Sequence, residues 1–256
     1  MFAAVEFPPI ENIVEWPNWF GSGALGFNKI AFINVFAVVA TSIIFLAGRG
    51  KKLVPRGMQN LAESSVDFIQ KGVIDQAIGH GGEKYLPYLA TIFFFVFFGN
   101  IFEVIPGFGM PANARMANPA FMALVTWAFF ICVGVRAQGP KYFVNALFPP
   151  GVPKALYLLV TPIEFISTFI VRPFSLAVRL FANMLAGHIL LVTFALLTNS
   201  LVTAETKVWM LKPMSILPFF MLVFLTAFEV LVAFLQAYIF TILTAVYIGG
   251  SAHPEH

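Results

Sequence analysis

Charged side chains are scarce in this chain: Asp, Glu, Lys and Arg make up 11% of its 256 residues. A soluble domain carries about a quarter, so the surface of a water-exposed globule is missing. Basic runs are missing too, the longest being Lys51-Lys52, and no basic face alternates with aromatics. That excludes nucleic-acid binding, despite a formal net charge of +3 and a calculated pI of about 9.0. The single cysteine, Cys132, rules out an internal disulfide and any cysteine-based metal cluster; within its apolar stretch it reads as a small core residue. No Gly-x-x-x-x-Gly-Lys-Ser/Thr loop, His-Glu-x-x-His motif or Gly-x-Ser-x-Gly elbow occurs, so nothing here is built to bind ATP or hydrolyse a substrate, and no cofactor is expected. A cleavable signal peptide is not visible, since Glu6, Glu11 and Glu15 stand where a basic region belongs. Internal repeats, the mark of many secondary transporters, are also lacking.

Apolar residues fill the space instead. They make up 59% of the chain, with 31 phenylalanines, and five segments reach the roughly 20 residues that cross a bilayer. The first runs from about Ile30 to Leu46, the second from Leu86 to Ile105 and the third from Ala120 to Val135. The fourth and fifth, near Leu156 to Thr198 and Pro213 to Ile248, exceed a single span and must tilt steeply, bend or break. Pro162 and Pro173 are candidate breaks in the fourth, and Pro218 falls in the first turns of the fifth. Between the first two spans, over 56–79, Leu61, Val66, Ile69, Val73 and Ile78 recur near helical spacing among Glu63, Asp67, Gln70 and Lys71. This reads as an amphipathic helix on the membrane surface, with a solvated loop helix as the alternative. Gly79-His80-Gly81-Gly82 ends it.

The fold class is therefore all-α and integral to the membrane, as one domain over 1–256: an extracytoplasmic segment 1–29, a span 30–47, the surface helix 56–79, a helical hairpin 86–136 and two long tilted helices within 156–249. Orientation follows from loop charge. With the N-terminus outside, Arg49, Lys51, Lys52, Arg56, Lys71, Lys84, Arg136, Lys141 and Lys154 fall inside, against Lys29, Arg115, Lys207 and Lys212 outside. The C-terminus is then cytoplasmic.

Ionisable groups at membrane depth each need a reason. Glu103, Glu164 and Arg172 lie near segment ends or breaks, where Arg172 can snorkel to the interface and Glu103 can act as an interfacial cap. Arg179 lies well inside the fourth segment and cannot shed its charge. Its helical neighbours are Ser175, Ala182, Asn183 and Ala186, a small, polar strip against which another helix can close. The strip points to a carboxylate on a partner helix; pairing with a carboxylate of this chain is the alternative. His188 follows nine residues later, roughly 13 Å along a helix, and titrates near neutrality. If the last two helices are antiparallel, His188 and Glu229 meet in their outer halves. On the fifth segment Glu229, Gln236 and Tyr247 share a face. Asn100 and Glu103 share one toward the outer end of the second. These residues read as the lining of a polar route. An ion-coupled secondary transporter or proton channel is the rival class.

The stretch Arg172-Pro173-Phe174-Ser175-Leu176-Ala177-Val178-Arg179-Leu180-Phe181-Ala182-Asn183-Met184-Leu185-Ala186-Gly187-His188 resembles the signature of the ATP synthase a subunit family. Leu235 to Tyr247 is similar to its C-terminal motif, and Leu86-Pro87 through Asn100, Glu103 and Pro106 to its second conserved region. The resemblance implies a non-catalytic membrane subunit in a bacterial inner membrane, a mitochondrial one being the lesser alternative. It implies a ring of c subunits, a b-subunit stator stalk and the remaining synthase subunits as partners. Two offset half-channels would lead to a c-ring carboxylate, with Arg179 as the barrier, Asn183 and Gln236 as polar neighbours and Tyr247 near the inner end. His188 and Glu229 stand in reverse of the arrangement in the best-known bacterial versions, which keeps one acid and one imidazole in the outer half-channel. Glu164 departs in spacing from the family's acidic residue near the inner channel.

Overall fold

In a bilayer core no water bonds to backbone amides, so an apolar run of sufficient length satisfies its own hydrogen bonds as a helix. The computed structural model describes residues 18–21, 26–48, 57–79, 81–105, 108–148, 156–203 and 209–252. In chain order its helices are α1 (Lys29–Ala47), α2 (Met58–Ile69), α3 (Leu86–Ile101), α4 (Ala117–Gln138), α5 (Lys141–Leu147), α6 (Tyr157–Ile166), α7 (Arg172–Thr203) and α8 (Ile216–Ala252). Asn28 caps α1 by accepting a hydrogen bond from the Ala31 amide at 3.0 Å, and Pro87 occupies the first turn of α3, where no amide is needed. Among the described residues the only β feature is an isolated bridge between Phe20 and Phe27.

Five helical stretches are long and apolar enough to cross a membrane. The protein is an all-α, multi-pass membrane protein. The last two stretches cover 47 and 41 residues, roughly 70 and 60 Å at the α-helical rise. Both are about twice the hydrocarbon thickness, so they lie steeply tilted. Leu158, Leu217 and Phe121 are 88%, 73% and 63% exposed, an arrangement suited to lipid rather than water.

α8 is the central helix. It packs on α3, α4 and α7, while α1 packs on α3. The two spans of segment 86–136 meet where Tyr88 stacks on Phe129 at 3.7 Å and lies 3.5 Å from the Thr126 hydroxyl, and both also lean on α8. The amphipathic segment forms α2 and continues as a π-helical turn, Gln70–Ile74, then Asp75–Ala77. Ile69, Val73 and Ile74 are fully buried. Leu61, read from the sequence as part of that face, is 49% exposed, because Ala62, seven residues before Ile69, takes the buried side of α2 instead. Tyr238 of α8 donates its hydroxyl to the Gly72 carbonyl at 3.0 Å and so fastens this helix to the bundle. Gly79 and Gly81, at φ +75° and +85°, terminate it in backbone that side chains disfavour.

Two expectations change. Neither Pro162 nor Pro173 interrupts the fourth span. The helix runs on through a π segment, Ser167–Val171, placed directly before Arg172-Pro173. A proline ring collides with the carbonyl four residues back, and a wider turn relieves the collision without breaking the helix. Cys132 is exposed rather than in the core. Pro218 does fall in the first turn of α8, buried. Most of the segment 1–29, the basic residues Arg49, Lys51, Lys52, Arg56, Lys154 and Lys207, His80, Pro106-Gly107 and residues 253–256 lie outside the described residues.

Candidate functional site

Arg179 sits in the second turn of α7, half-buried, with Ser175 half-buried one turn before it. Ala182, Asn183 and Ala186 are exposed on the same helix, while Leu176, Leu180 and Met184 are buried on its other side. The alternation at three and four residues gives α7 one face for the bundle and one, small and polar, for the outside. Among the described residues Arg179 has no ion pair: Lys71 and Asp67, 3.0 Å apart on the surface helix, form the ion pair seen there. A carboxylate of this chain is thus not its counter-ion within that set.

Behind the arginine, Asn183 donates its side-chain amide to the Gln236 carbonyl oxygen of α8 at 2.8 Å. Gln236 is 2% exposed and its own Nδ-type counterpart, the amide nitrogen Nε2, is buried without a partner. The geometry joins two residues 53 positions apart. It also leaves a buried amide donor next to Asn183, which stands one turn along α7 from Arg179.

Two turns farther along α7, Gly187 makes room for Glu229. A Cβ built at 187 would come within 2.5 Å of Glu229 Oε1 and 2.7 Å of Oε2. The carboxyl therefore lies directly over the α7 backbone, next in sequence to His188, and both side chains are buried. Glu103, just past the end of α3, is also buried, and α3 packs against the α8 helix that carries Glu229. Asn100, fully buried one turn before Glu103, accepts a hydrogen bond from Asn113 at 2.6 Å. Glu103 Oε1, Glu229 Oε2 and Asn100 Nδ2 are buried atoms with no hydrogen-bond partner among the described residues. Such atoms are rare in native interiors unless water reaches them, so this cluster has the chemistry of a wet, acid-lined pocket.

The opposite end of the bundle, the one carrying the surface helix, holds the remaining candidates. The Arg172 guanidinium stacks 5.2 Å over the Tyr247 ring, which also meets Phe130 at 5.8 Å. Arg172 thus has an aromatic partner on α8. Glu164 is half-buried on α6, on the far side of the π segment from Arg179. The structure brings Asn183 to Gln236, Gly187 to Glu229 and Asn100 to Asn113; it leaves Glu164 and Tyr247 well separated along the helices from that cluster.

Sequence reasoning missed three asparagines. Asn113 and Asn118, in the connection before α4, and Asn34 in α1 are bonded to one another and to Asn100. Asn34 was a readable signal, being an amide inside an apolar span. The partners were not readable, because their contacts join residues 84 and 13 positions apart.

Residues 30–249 match the family model described as ATP synthase A chain. The chain is 43% identical over 256 residues to the ATP synthase subunit a of Frankia alni, covering 97% of this chain and 87% of that one. It is 41% identical over 239 residues to the subunit a of Rhodococcus erythropolis, covering 91% and 86%. Against the subunit a of Methylobacterium sp. it is 39% identical over 260 residues, covering 99% and 100%. With a match across all five spans and near-complete coverage by these relatives, the chain belongs to the ATP synthase A chain family.

Proposed function

We propose that this chain is the stator channel subunit of a rotary F-type ATP synthase in a bacterial inner membrane, with its N-terminus outside and its C-terminus in the cytoplasm. Its partners are a ring of c subunits, a b-subunit stalk and the other synthase subunits. It is not itself catalytic. The observation that carries this reading is Arg179: a permanent cation on a strip of half-buried Ser175 and exposed Ala182, Asn183 and Ala186, with no ion pair among the described residues. A guanidinium at membrane depth needs an anion or water, and the strip is shaped for a rotor helix bearing a carboxylate.

The outer half-channel runs by Asn100, Glu103, Glu229 and His188. A proton entering there neutralises the rotor carboxylate, which then turns through lipid, where a charge would be unstable. The inner half-channel runs past Tyr247, with Glu164 near its mouth. There the proton leaves, and the re-ionised carboxylate meets Arg179, whose position Asn183 and Gln236 help to define. A fixed cation between two wet vestibules repels a proton passing straight across. Each charge crossing the membrane carries about 2.3 kcal/mol per 100 mV, and this barrier directs that energy into rotation.

The deciding test is ATP-driven proton pumping by the reconstituted complex carrying Arg179→Ala, together with passive proton conductance of the membrane sector. Pumping is expected to fall to background in an assembled complex while passive flow persists or rises. Normal pumping by Arg179→Ala would make the arginine structural and end this reading.

A further inference from the structure

Asn34 of α1, Asn118 of α4, Asn113 of the turn Ala112–Ala114 and Asn100 of α3 form one continuous file. The Asn118 amide nitrogen donates to Asn34 Oδ1 at 3.3 Å and to Asn113 Oδ1 at 2.7 Å. The Asn113 nitrogen donates in turn to Asn100 Oδ1 at 2.6 Å. Asn113 is 1% exposed and Asn100 fully buried. Gly99 lets the turn approach α3 this closely, since a Cβ there would lie 3.2 Å from the Asn113 nitrogen. Carboxamides do not titrate, so the file conducts no protons. Its role is one of orientation.

We infer that Asn113 is a positioning residue for the outer proton route, acting through Asn100; this rests on the reading of Asn100 and Glu103 as lining that route. Interhelical amide bonds are common adhesive in membrane bundles, and an adhesive clasp closes on itself. This file does not close at Asn100. There Asn100 Nδ2 is left over, and one turn on Glu103 Oε1 is left over as well. By occupying Asn100 Oδ1, Asn113 turns that carboxamide so that its N–H groups, not its carbonyl, face the acid-lined pocket. An N–H donor there holds a carboxylate or the oxygen of an entering water; a carbonyl would repel the carboxylate. Asn118 of α4 holds Asn113 in place, and Asn34 of α1 in turn accepts a bond from Asn118.

The test measures ATP-driven proton pumping, per assembled complex, for Asn100→Ala, Asn113→Ala, the double variant and Asn113→Asp. Losing one orienting hydrogen bond corresponds to a fall of about five- to tenfold, expected for Asn100→Ala and for Asn113→Ala. The double variant should pump no worse than Asn100→Ala, because residues acting in series do not add. Asn113→Asp keeps the shape but replaces the donor with an acceptor, reversing the Asn100 amide, and should fall at least as far as Asn113→Ala. Near-normal pumping by Asn113→Asp, or independent losses that multiply in the double variant, would make Asn113 a structural clasp and overturn the inference alone. Normal pumping by Asn100→Ala would remove Asn100 from the route and take both readings with it.

Discussion

Glu229 and Gly187 show how a residue without a side chain can define a site. The carboxyl of Glu229 occupies the volume that a Cβ at 187 would need, with both oxygens inside 2.8 Å of that position. Gly187→Ala must therefore push the carboxyl off the α7 backbone or separate the two helices, at a cost of about 1–3 kcal/mol. Proton pumping by that variant is expected to drop about thirtyfold, the kinetic equivalent of the middle of that range. Glu229→Asp, one methylene shorter, should restore part of the loss when combined with Gly187→Ala. Failure of the double variant to exceed the single one in an assembled complex would show that the close approach does not govern the route. Gly187 stood inside the recognised motif, but its purpose depended on which α8 side chain crosses it, and no local pattern records that. Arg179, Glu229 and Gln236 were legible for the opposite reason. A charge or amide in an apolar helix is conspicuous wherever it packs.

Helices were the most legible level, because an apolar run of about 20 residues in a bilayer has one low-energy backbone solution. The five spans follow from that alone, and the surface helix from its amphipathic period. What stayed hidden was a change of winding inside a helix. Ser167–Val171 and Gln70–Ile74 both adopt π geometry; in the first, the energetics of Pro173 and the packing around Phe169 select it. Phe169 meets Phe143 at 6.3 Å and Phe165 at 5.2 Å, which fixes the widened turn against α5 and α6. A π turn holds one residue more than an α turn would, so removing one residue there should leave both flanks in phase. Ile170, 54% exposed, is the residue to delete. Deletion alone would bring Pro173 against the preceding turn, a penalty of about 3 kcal/mol, and should lower the amount of assembled complex severalfold. Combined with Pro173→Ala, the deletion should assemble near the normal level. Equal assembly of the two deletions, measured by co-purification with the other synthase subunits, would show that Pro173 does not require the π turn.

At the scale of the whole molecule, the order in which helices pack could not be read from the sequence, since hairpin neighbours and distant neighbours are equally apolar. α8 lies against α3, α4 and α7, and this central placement brings Glu229 to Gly187 and Gln236 to Asn183. It also leaves one side of α7 uncovered. That side differs from the lipid-facing surface of α6, where Leu158 and Leu159 are 88% and 65% exposed, because Ala182, Asn183 and Ala186 offer little apolar area to lipid. Small side chains are what a passing helix needs. If a rotor helix runs there, cysteines at 182 and 186 will come within disulfide reach of a cysteine beside the rotor carboxylate, a Cβ separation of about 3.5–4.5 Å. The exposed Cys132 must first be replaced by alanine to leave a silent background. Under oxidation, Ala182→Cys and Ala186→Cys should each give a product joining this chain to the c subunit, and a reductant should release it together with ATP-driven pumping. Leu180→Cys and Met184→Cys, both on the buried face, should give none. Products from the buried positions, or none from 182 and 186 in an intact complex, would place the rotor against another surface and leave Arg179 without the partner its charge requires.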